Sequence, residues 1–102
     1  MGASGGPRDS ATLRLTGDID ALTQSEYRRT AADLLGESTP RTFVVDMAAV
    51  STIDSSGLGL LVHLHSLTRE HNVDMVLTRV PPHADALLKR TGLDRVFQIE
   101  GR

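Results

Sequence analysis

The sequence predicts an α/β domain with a small, mainly parallel sheet, because strand and helix patterns alternate along its whole length. Residues 43–47 are a largely apolar run typical of a buried central strand. From residue 58 onward, leucines recur at helical spacing. Short alternating elements of this kind are joined by right-handed crossovers in parallel sheets. At 102 residues, the chain is expected to form one domain.

The chain is expected to begin with a flexible N-terminal tail over residues 1–9, rich in glycine, and to continue as a single domain over residues 10–102. Residues 10–15 alternate polar and apolar side chains, which predicts a half-buried strand. Residues 17–20 (GDID) then have the composition of a turn.

The first helix is expected after that turn. Residues 23–26 (TQSE) have the spacing of a capping box, so the pattern predicts a helix from there to Leu35. Its inward-facing residues are expected to include Leu22 and Tyr27. Gly36 is a natural helix end.

The remaining elements follow the same alternation. Pro81 and Pro82 are expected to open the third helix, and Gly92 to end it. Patterning predicts strands at about 41–47, 73–77 and 96–99, and helices at about 56–70 and 83–91.

Composition excludes several classes of function. Aromatic residues make up 3% of the chain, and 11 Lys and Arg face 13 Asp and Glu, so it lacks the stacking faces and basic groove of a nucleic-acid-binding protein. No run is long enough to span a membrane, and the start lacks the features of a signal peptide. Without cysteine and with scattered histidines, no metal site or cofactor is expected. These features predict a cytoplasmic protein without direct membrane insertion.

The stretch most informative about function is residues 54–60 (DSSGLGL), which joins a strand to a helix and places two hydroxyls at the helix start. Backbone N–H groups there have no intrahelical partner, so the site favours negative charge. Ser55 or Ser56 is therefore either an N-cap or a site of phosphorylation. The residues alone leave both interpretations open.

Enzymatic interpretations of the same region are weaker. Neither serine lies in a Gly-x-Ser-x-Gly elbow, since Ile53 and Asp54 occupy the positions two before them. The pair Gly57 and Gly59 lacks the third glycine of a dinucleotide site, because position 62 is valine. Close approach of the helix to the sheet, or of a partner to the helix, explains both glycines.

Three aspartates are expected to share one edge of the sheet. Asp18 and Asp20 follow the first strand, Asp54 follows the second, and the carboxyl ends of parallel strands lie at a common edge. A paired-carboxylate enzyme would need a base, nucleophile or basic substrate anchor beside them, and the sequence offers none. The chain is therefore not expected to be an enzyme.

Three segments in this order resemble the STAS domain, and most closely the stand-alone bacterial anti-sigma-factor antagonists. The most specific is residues 53–60 (IDSSGLGL), after the strand at 43–47. Residues 15–20 (LTGDID) resemble the family's Leu-x-Gly-(Glu/Asp)-(Leu/Ile)-Asp element, and residues 86–97 (ALLKRTGLDRVF) its closing helix and strand. The resemblance covers residues 11–100. Many relatives carry a further strand before the first one predicted here.

The resemblance implies helices packed mostly on one face of the sheet, and a function in partner switching. Such an antagonist binds an anti-sigma factor that is a serine kinase of the histidine-kinase ATPase fold, which releases a sigma factor for transcription. The kinase inactivates the antagonist by phosphorylation, and a serine phosphatase restores it. The modified serine follows the motif's aspartate, which implies Ser55, with Ser56 as the second choice.

The partner surface implied by this resemblance joins the aspartate turn, the start of the second helix and the exposed face of that helix. Its expected members are Asp18, Asp20, Asp54, Ser55, Ser56, Gly57, Leu58, Gly59, His63 and Ser66.

The alternative within the same fold is an accessory STAS subunit of a lipid-transport ATPase complex, which is not regulated by phosphorylation. Such subunits often keep the aspartate but follow it with Thr or with Ser-Ala. The intact Asp-Ser-Ser-Gly at residues 54–57 favours the antagonist.

Overall fold

A computed structural model describes residues 10–37 and 39–100, so the tail expected at residues 1–9 lies outside the described residues. Strands and helices alternate, as predicted, and the four strands form one sheet in the order β1-β2-β3-β4 with every neighbouring pair parallel. The elements are β1 (Ser10–Ile19), α1 (Ala21–Glu37), β2 (Thr42–Ile53), α2 (Ser55–Glu70), β3 (Asp74–Thr78), α3 (Pro82–Thr91), a 3-10 turn (Leu93–Arg95) and β4 (Gln98–Ile99).

One face of the sheet carries the core. Leu13, Val45 and Leu77 lie side by side in the register of three strands, and all three are buried. They belong to one apolar cluster that includes buried residues of all three helices, such as Leu35, Leu64 and Leu88. On the other face, Thr12 and Arg14 of β1 are exposed. The helices therefore pack mostly on one face, as the resemblance implied.

The opposite face holds one buried charge. Asp46 accepts a hydrogen bond from the Ala48 N–H and one from the Arg79 guanidinium. The bond from Arg79 is the main reason that the pKa of Asp46 lies below its usual value. Since this carboxylate is fully partnered inside the domain, we assign it to the structure rather than to a site.

Several predicted boundaries are wrong around the first helix. Residues 17–19 are not a turn but the end of β1. Gly17 has a φ of +71°, and the register against β2 shifts on both sides of it, so the strand bends there instead of stopping. The helix begins at Ala21, before the predicted capping box, and runs through Gly36. Leu22 was predicted to face inward but is 83% exposed.

Candidate functional site

The start of α2 is capped by an aspartate and not by a serine. The Oδ1 atom of Asp54 accepts hydrogen bonds from the backbone N–H groups of Ser56, at 2.8 Å, and Gly57, at 3.2 Å. The interpretation of Ser55 or Ser56 as the N-cap is therefore wrong. Asp54 satisfies two of the orphan N–H donors, so neither hydroxyl is needed to begin the helix.

The two serines differ in accessibility. Ser55 is the first residue of α2 and is exposed, and its hydroxyl makes no hydrogen bond to any residue within 10–37 or 39–100. Ser56 is half-buried, and its carbonyl accepts a 2.7 Å hydrogen bond from the Gln24 side chain. Of the two hydroxyls, only that of Ser55 is both exposed and without a partner in the described part of the chain.

The start of α1 is also capped by an aspartate. Asp20 Oδ1 accepts from the N–H groups of Leu22 and Thr23, at 3.0 and 3.1 Å, and Thr23 Oγ1 accepts from the Asp20 N–H at 3.1 Å. This reciprocal pair is a capping box, three residues before the predicted one. The hydrogen bond from the Thr23 backbone is the main reason that the pKa of Asp20 lies below its usual value.

Two side-chain bonds hold the parts of the site together. Asp18 accepts a 2.7 Å hydrogen bond from the hydroxyl of Thr52, its neighbour across the strand pair. Gln24 of α1 donates to the Ser56 carbonyl in the first turn of α2. The structure thus places Asp18, Asp20 and Asp54 at one edge of the sheet, as expected.

Gly57 brings α2 close to the sheet. A Cβ atom there would come within 3.0 Å of Ile53 Cδ1, would press on Ile53 Cγ1, and would lie 3.2 Å from Ile19 Cγ2. A Cβ atom on Gly59 would meet only the end of the Gln24 side chain, at 3.3 Å. Gly57 is therefore a packing residue, whereas Gly59 leaves no side chain projecting from the exposed face of the helix.

The exposed face of α2 continues from Ser55 along the helix. Ser55, Gly59, Val62 and Ser66 are all exposed, and their spacing of four, three and four residues puts them on one narrow stripe. His63 lies beside this stripe and is half-buried. Burial is the main reason that the pKa of His63 is lowered, and the positive charge of Arg28 adds to the effect. The predicted members of this surface, from Asp54 to Ser66, thus lie along one helix.

Three residues that contribute to the geometry were not among the predicted site residues. Thr52 and Gln24 hold the site together through their hydrogen bonds, and Leu22 presents a large apolar side chain beside the cap of α1. The spacing Asp20-x-x-Thr23 is a capping-box signal in the sequence. It would have placed Leu22 in the first turn, where side chains are commonly exposed.

The carboxylates at this edge of the sheet already have partners within the domain. They cap helices or accept from a threonine, and within the described residues no group of three His, Asp or Glu side chains could hold a metal ion. None of the described helices has the length and apolar character needed to cross a membrane. The exposed Ser55 hydroxyl lies on a helix face with small or uncharged side chains, next to three carboxylates.

Comparison with known sequences gives a family match over almost the entire chain. The family model described as the STAS domain matches residues 6–101. A STAS-domain containing protein of Pseudomonas aeruginosa is 26% identical over 88 residues, which cover 86% of this chain and 85% of that protein.

Solved structures with the same fold include two kinds of protein. The anti-sigma factor antagonist SpoIIAA in its unphosphorylated form matches with a TM-score of 0.77 and 18% identity, over 97% of this chain and 86% of that one. An anti-sigma factor antagonist from Mycobacterium paratuberculosis matches at 0.80 and 20%, over 96% and 82%. A sulfate transporter family protein from Wolinella succinogenes matches at 0.78 and 18%, over 94% and 80%. These likenesses show the fold.

Proposed function

This chain belongs to the STAS domain family, and on that premise we propose that it is an anti-sigma-factor antagonist without enzymatic activity. It binds a kinase-type anti-sigma factor through the edge formed by Asp18, Asp20 and the start of α2, and so releases a sigma factor. Phosphorylation of Ser55 by that kinase switches it off, and a serine phosphatase restores it. Because the partner uses ATP, the protein acts in the cytoplasm.

The observation that carries the proposal is the state of the Ser55 hydroxyl. It is exposed on the first turn of α2, while Asp54 performs the capping that a serine would otherwise perform. A kinase can therefore reach the hydroxyl, and its modification removes no hydrogen bond from the described part of the chain. Ser56 is half-buried behind Gln24, so Ser55 is the better acceptor.

The local geometry also supports a switch that acts at the surface. The N–H groups of Ser56 and Gly57 are already bound to Asp54, so a phosphate on Ser55 would find those donors occupied and a carboxylate beside it. Such a phosphate remains on the surface and adds a charge of nearly −2 where a partner must pack. Binding is then lost by desolvation and repulsion, and the fold is retained.

Phosphorylation of single-site variants tests the proposal. Incubation with ATP and the purified kinase-type anti-sigma factor encoded in the same genome should add one phosphoryl group, about 80 Da by intact mass, to the wild-type chain. Ser55→Ala should abolish the addition, and Ser56→Ala, the matched control, should retain it. Label on Ser56 alone would refute the residue assignment. Absence of label on either serine would refute the phosphorylation switch.

Binding measured by calorimetry tests the surface. Ser55→Asp should bind the anti-sigma factor at least about tenfold more weakly than the wild type, although one charge imitates a phosphate incompletely. Equal affinities would contradict the placement of the partner over Ser55. Amide NMR spectra of the two forms should differ mainly near residues 54–60.

The second candidate is the accessory subunit of a lipid-transport ATPase complex. The likeness to a sulfate transporter family protein is the observation that favours a transport-associated function. Affinity purification from the native host separates the two candidates, because an antagonist recovers a kinase-type anti-sigma factor and an accessory subunit recovers a transport ATPase. In the second case, Ser55→Ala should function like the wild type.

A further inference from the structure

Leu22 stands out among the described residues as the most exposed large apolar side chain. It is 83% exposed, against 50% for Val96 and 43% for Val62. A single exposed leucine needs no explanation by itself. The position of this one does, because it lies on the first turn of α1, two residues after Asp20 of the partner surface.

The structure holds the backbone of Leu22 in place, although its side chain is left largely uncovered by residues 10–37 and 39–100. Its N–H donates to Asp20 Oδ1 at 3.0 Å, inside the capping box that Thr23 completes. Two residues later, Gln24 donates to the Ser56 carbonyl at 2.7 Å and so ties this turn to the start of α2. An apolar side chain on a rigid backbone loses little further entropy on binding, as an interface anchor requires.

The charges at the edge beside Leu22 are negative, and the nearest Lys or Arg in sequence is Arg28, six residues further along α1. Residues 15–27 and 42–68, which supply the edge and nearly all of α2, contain no Lys or Arg. Asp18, Asp20 and Asp54 lie at this edge, while the adjoining stripe of Ser55, Gly59, Val62 and Ser66 is uncharged. The complement of such a surface is an apolar pocket bordered by basic residues on the side that meets the aspartates.

We propose that Leu22 is the apolar anchor of the partner surface, and that it inserts into an apolar pocket of the anti-sigma factor whose border carries Lys or Arg. This inference rests on the proposed function, and it adds a residue that sets affinity independently of phosphorylation. The exposed stripe of α2 that begins at Ser55 adjoins this anchor through the hydrogen bond from Gln24 to the Ser56 carbonyl, so one partner can cover both.

The test is calorimetry of the purified anti-sigma factor with the unphosphorylated wild type, Leu22→Ala, Leu22→Met and Val96→Ala. Val96 is the matched control, because it is half exposed but lines a different part of the surface, a cleft that includes His65 and Arg69. His65 lies about 15 Å along α2 from Ser55. We expect Leu22→Ala to weaken binding at least about tenfold, as for an interface hot spot. Leu22→Met should stay within about threefold of the wild type, and Val96→Ala within about twofold.

Salt dependence tests the basic border of the pocket. Wild-type affinity should fall as NaCl is raised, and Asp18→Asn, which keeps an acceptor for Thr52, should reduce that dependence. Leu22→Ala should leave the dependence unchanged because it removes no charge. A salt-independent affinity would overturn the basic border.

The outcomes separate the inference from its premise. If the wild type binds and Leu22→Ala binds equally well, the anchor is refuted while the proposed function stands. If the wild type does not bind, both fail. If sedimentation shows that Leu22→Ala instead abolishes self-association of the chain, the occupant is a second copy and the anchor is refuted. Matching thermal melts of the variants exclude a folding defect as the cause of lost binding.

Discussion

The starts of α1 and α2 lie side by side, and each is capped by an aspartate, yet their first-turn hydroxyls are used differently. Thr23 Oγ1 accepts from the Asp20 N–H and lies 3.2 Å from the Asp18 carbonyl, to which it donates. The Ser55 hydroxyl has no hydrogen bond to any residue of the described ranges. A first-turn hydroxyl thus serves the fold at one helix and remains available at the other.

The two hydroxyls are used differently because they stand at different distances in sequence from the capping aspartate. At α1 the hydroxyl is the third residue after the cap, where a side chain can reach back to the cap N–H and close a capping box. At α2 the hydroxyl directly follows the cap, and that third position is Gly57. Gly57 is required there by packing, so the start of α2 cannot form the second bond of a box. A side chain directly after the cap has no part in a capping box, so the Ser55 hydroxyl lies outside the capping bonds.

The largest expected effect comes from Gly57→Ala. Its Cβ atom would press on Ile53 and approach Ile19, both of which are part of or packed against the core. We expect a loss of about 1–3 kcal/mol in the free energy of unfolding, although alanine favours a helix by about 1 kcal/mol over glycine. Urea denaturation followed by circular dichroism measures it.

Gly59→Ala is the matched control, two residues further along the same helix. Its Cβ atom meets only the movable end of Gln24, so stability should stay within about 1 kcal/mol of the wild type. Equal losses for the two variants would show that Gly57 has no special packing role.

Sequence patterning predicted most of this fold because its signals are strong and local. The leucine repeat of α2 appears where it was expected, and Pro82 and Gly92 bound α3. The strand before Asp54 begins near its predicted start, but β2 continues to Ile53, past the predicted end at residue 47. Gly92 has a φ of +80°, which explains why a glycine stands there. The edge shared by Asp18, Asp20 and Asp54 followed from the parallel order of the strands.

The errors occur where tertiary contacts overrule local composition. Residues 17–19 look like a turn but extend β1, because pairing with a long β2 continues past the bulges. Gly36 does not end α1, which continues to Glu37. Leu22 is an apolar residue of the kind that fills cores, and periodicity cannot show that the described elements leave it exposed. These are contacts between distant segments, and a pattern of neighbouring residues does not contain them.

A smaller change in stability is expected from removing each of the two hydroxyls in turn. Thr23→Val keeps the shape of the side chain but leaves the Asp20 N–H without its acceptor, so we expect a loss of about 0.5–1.5 kcal/mol. Ser55→Ala removes no hydrogen bond in the described structure and should change stability by less than about 0.5 kcal/mol. Thermal denaturation of both variants beside the wild type makes the comparison.

A clear loss for Ser55→Ala would mean that its hydroxyl has a structural role. The proposed difference between the two helix starts would then be wrong, whatever the kinase does. If Thr23→Val leaves stability unchanged, an aspartate cap without the reciprocal bond, as at Asp54, is sufficient at α1 as well.

The smallest expected effect is on the pH dependence of folding stability, and it concerns His63 of α2, whose pKa is influenced by Arg28 of α1. Partial burial and the Arg28 charge lower the pKa of His63 below its ordinary 6.5, while Glu70 opposes them. Just below pH 6.5 the unfolded chain then binds more protons than the folded one, so folding stability falls as the pH drops through that range and levels off below the folded pKa.

Urea denaturation between about pH 7 and pH 5 should show this slope, and His63→Gln should reduce it. In NMR titrations, Arg28→Gln should move the pKa of His63 upward, because it removes the repelling charge but not the burial. An unchanged pKa in that variant would show that α1 exerts no electrostatic influence on the exposed face of α2.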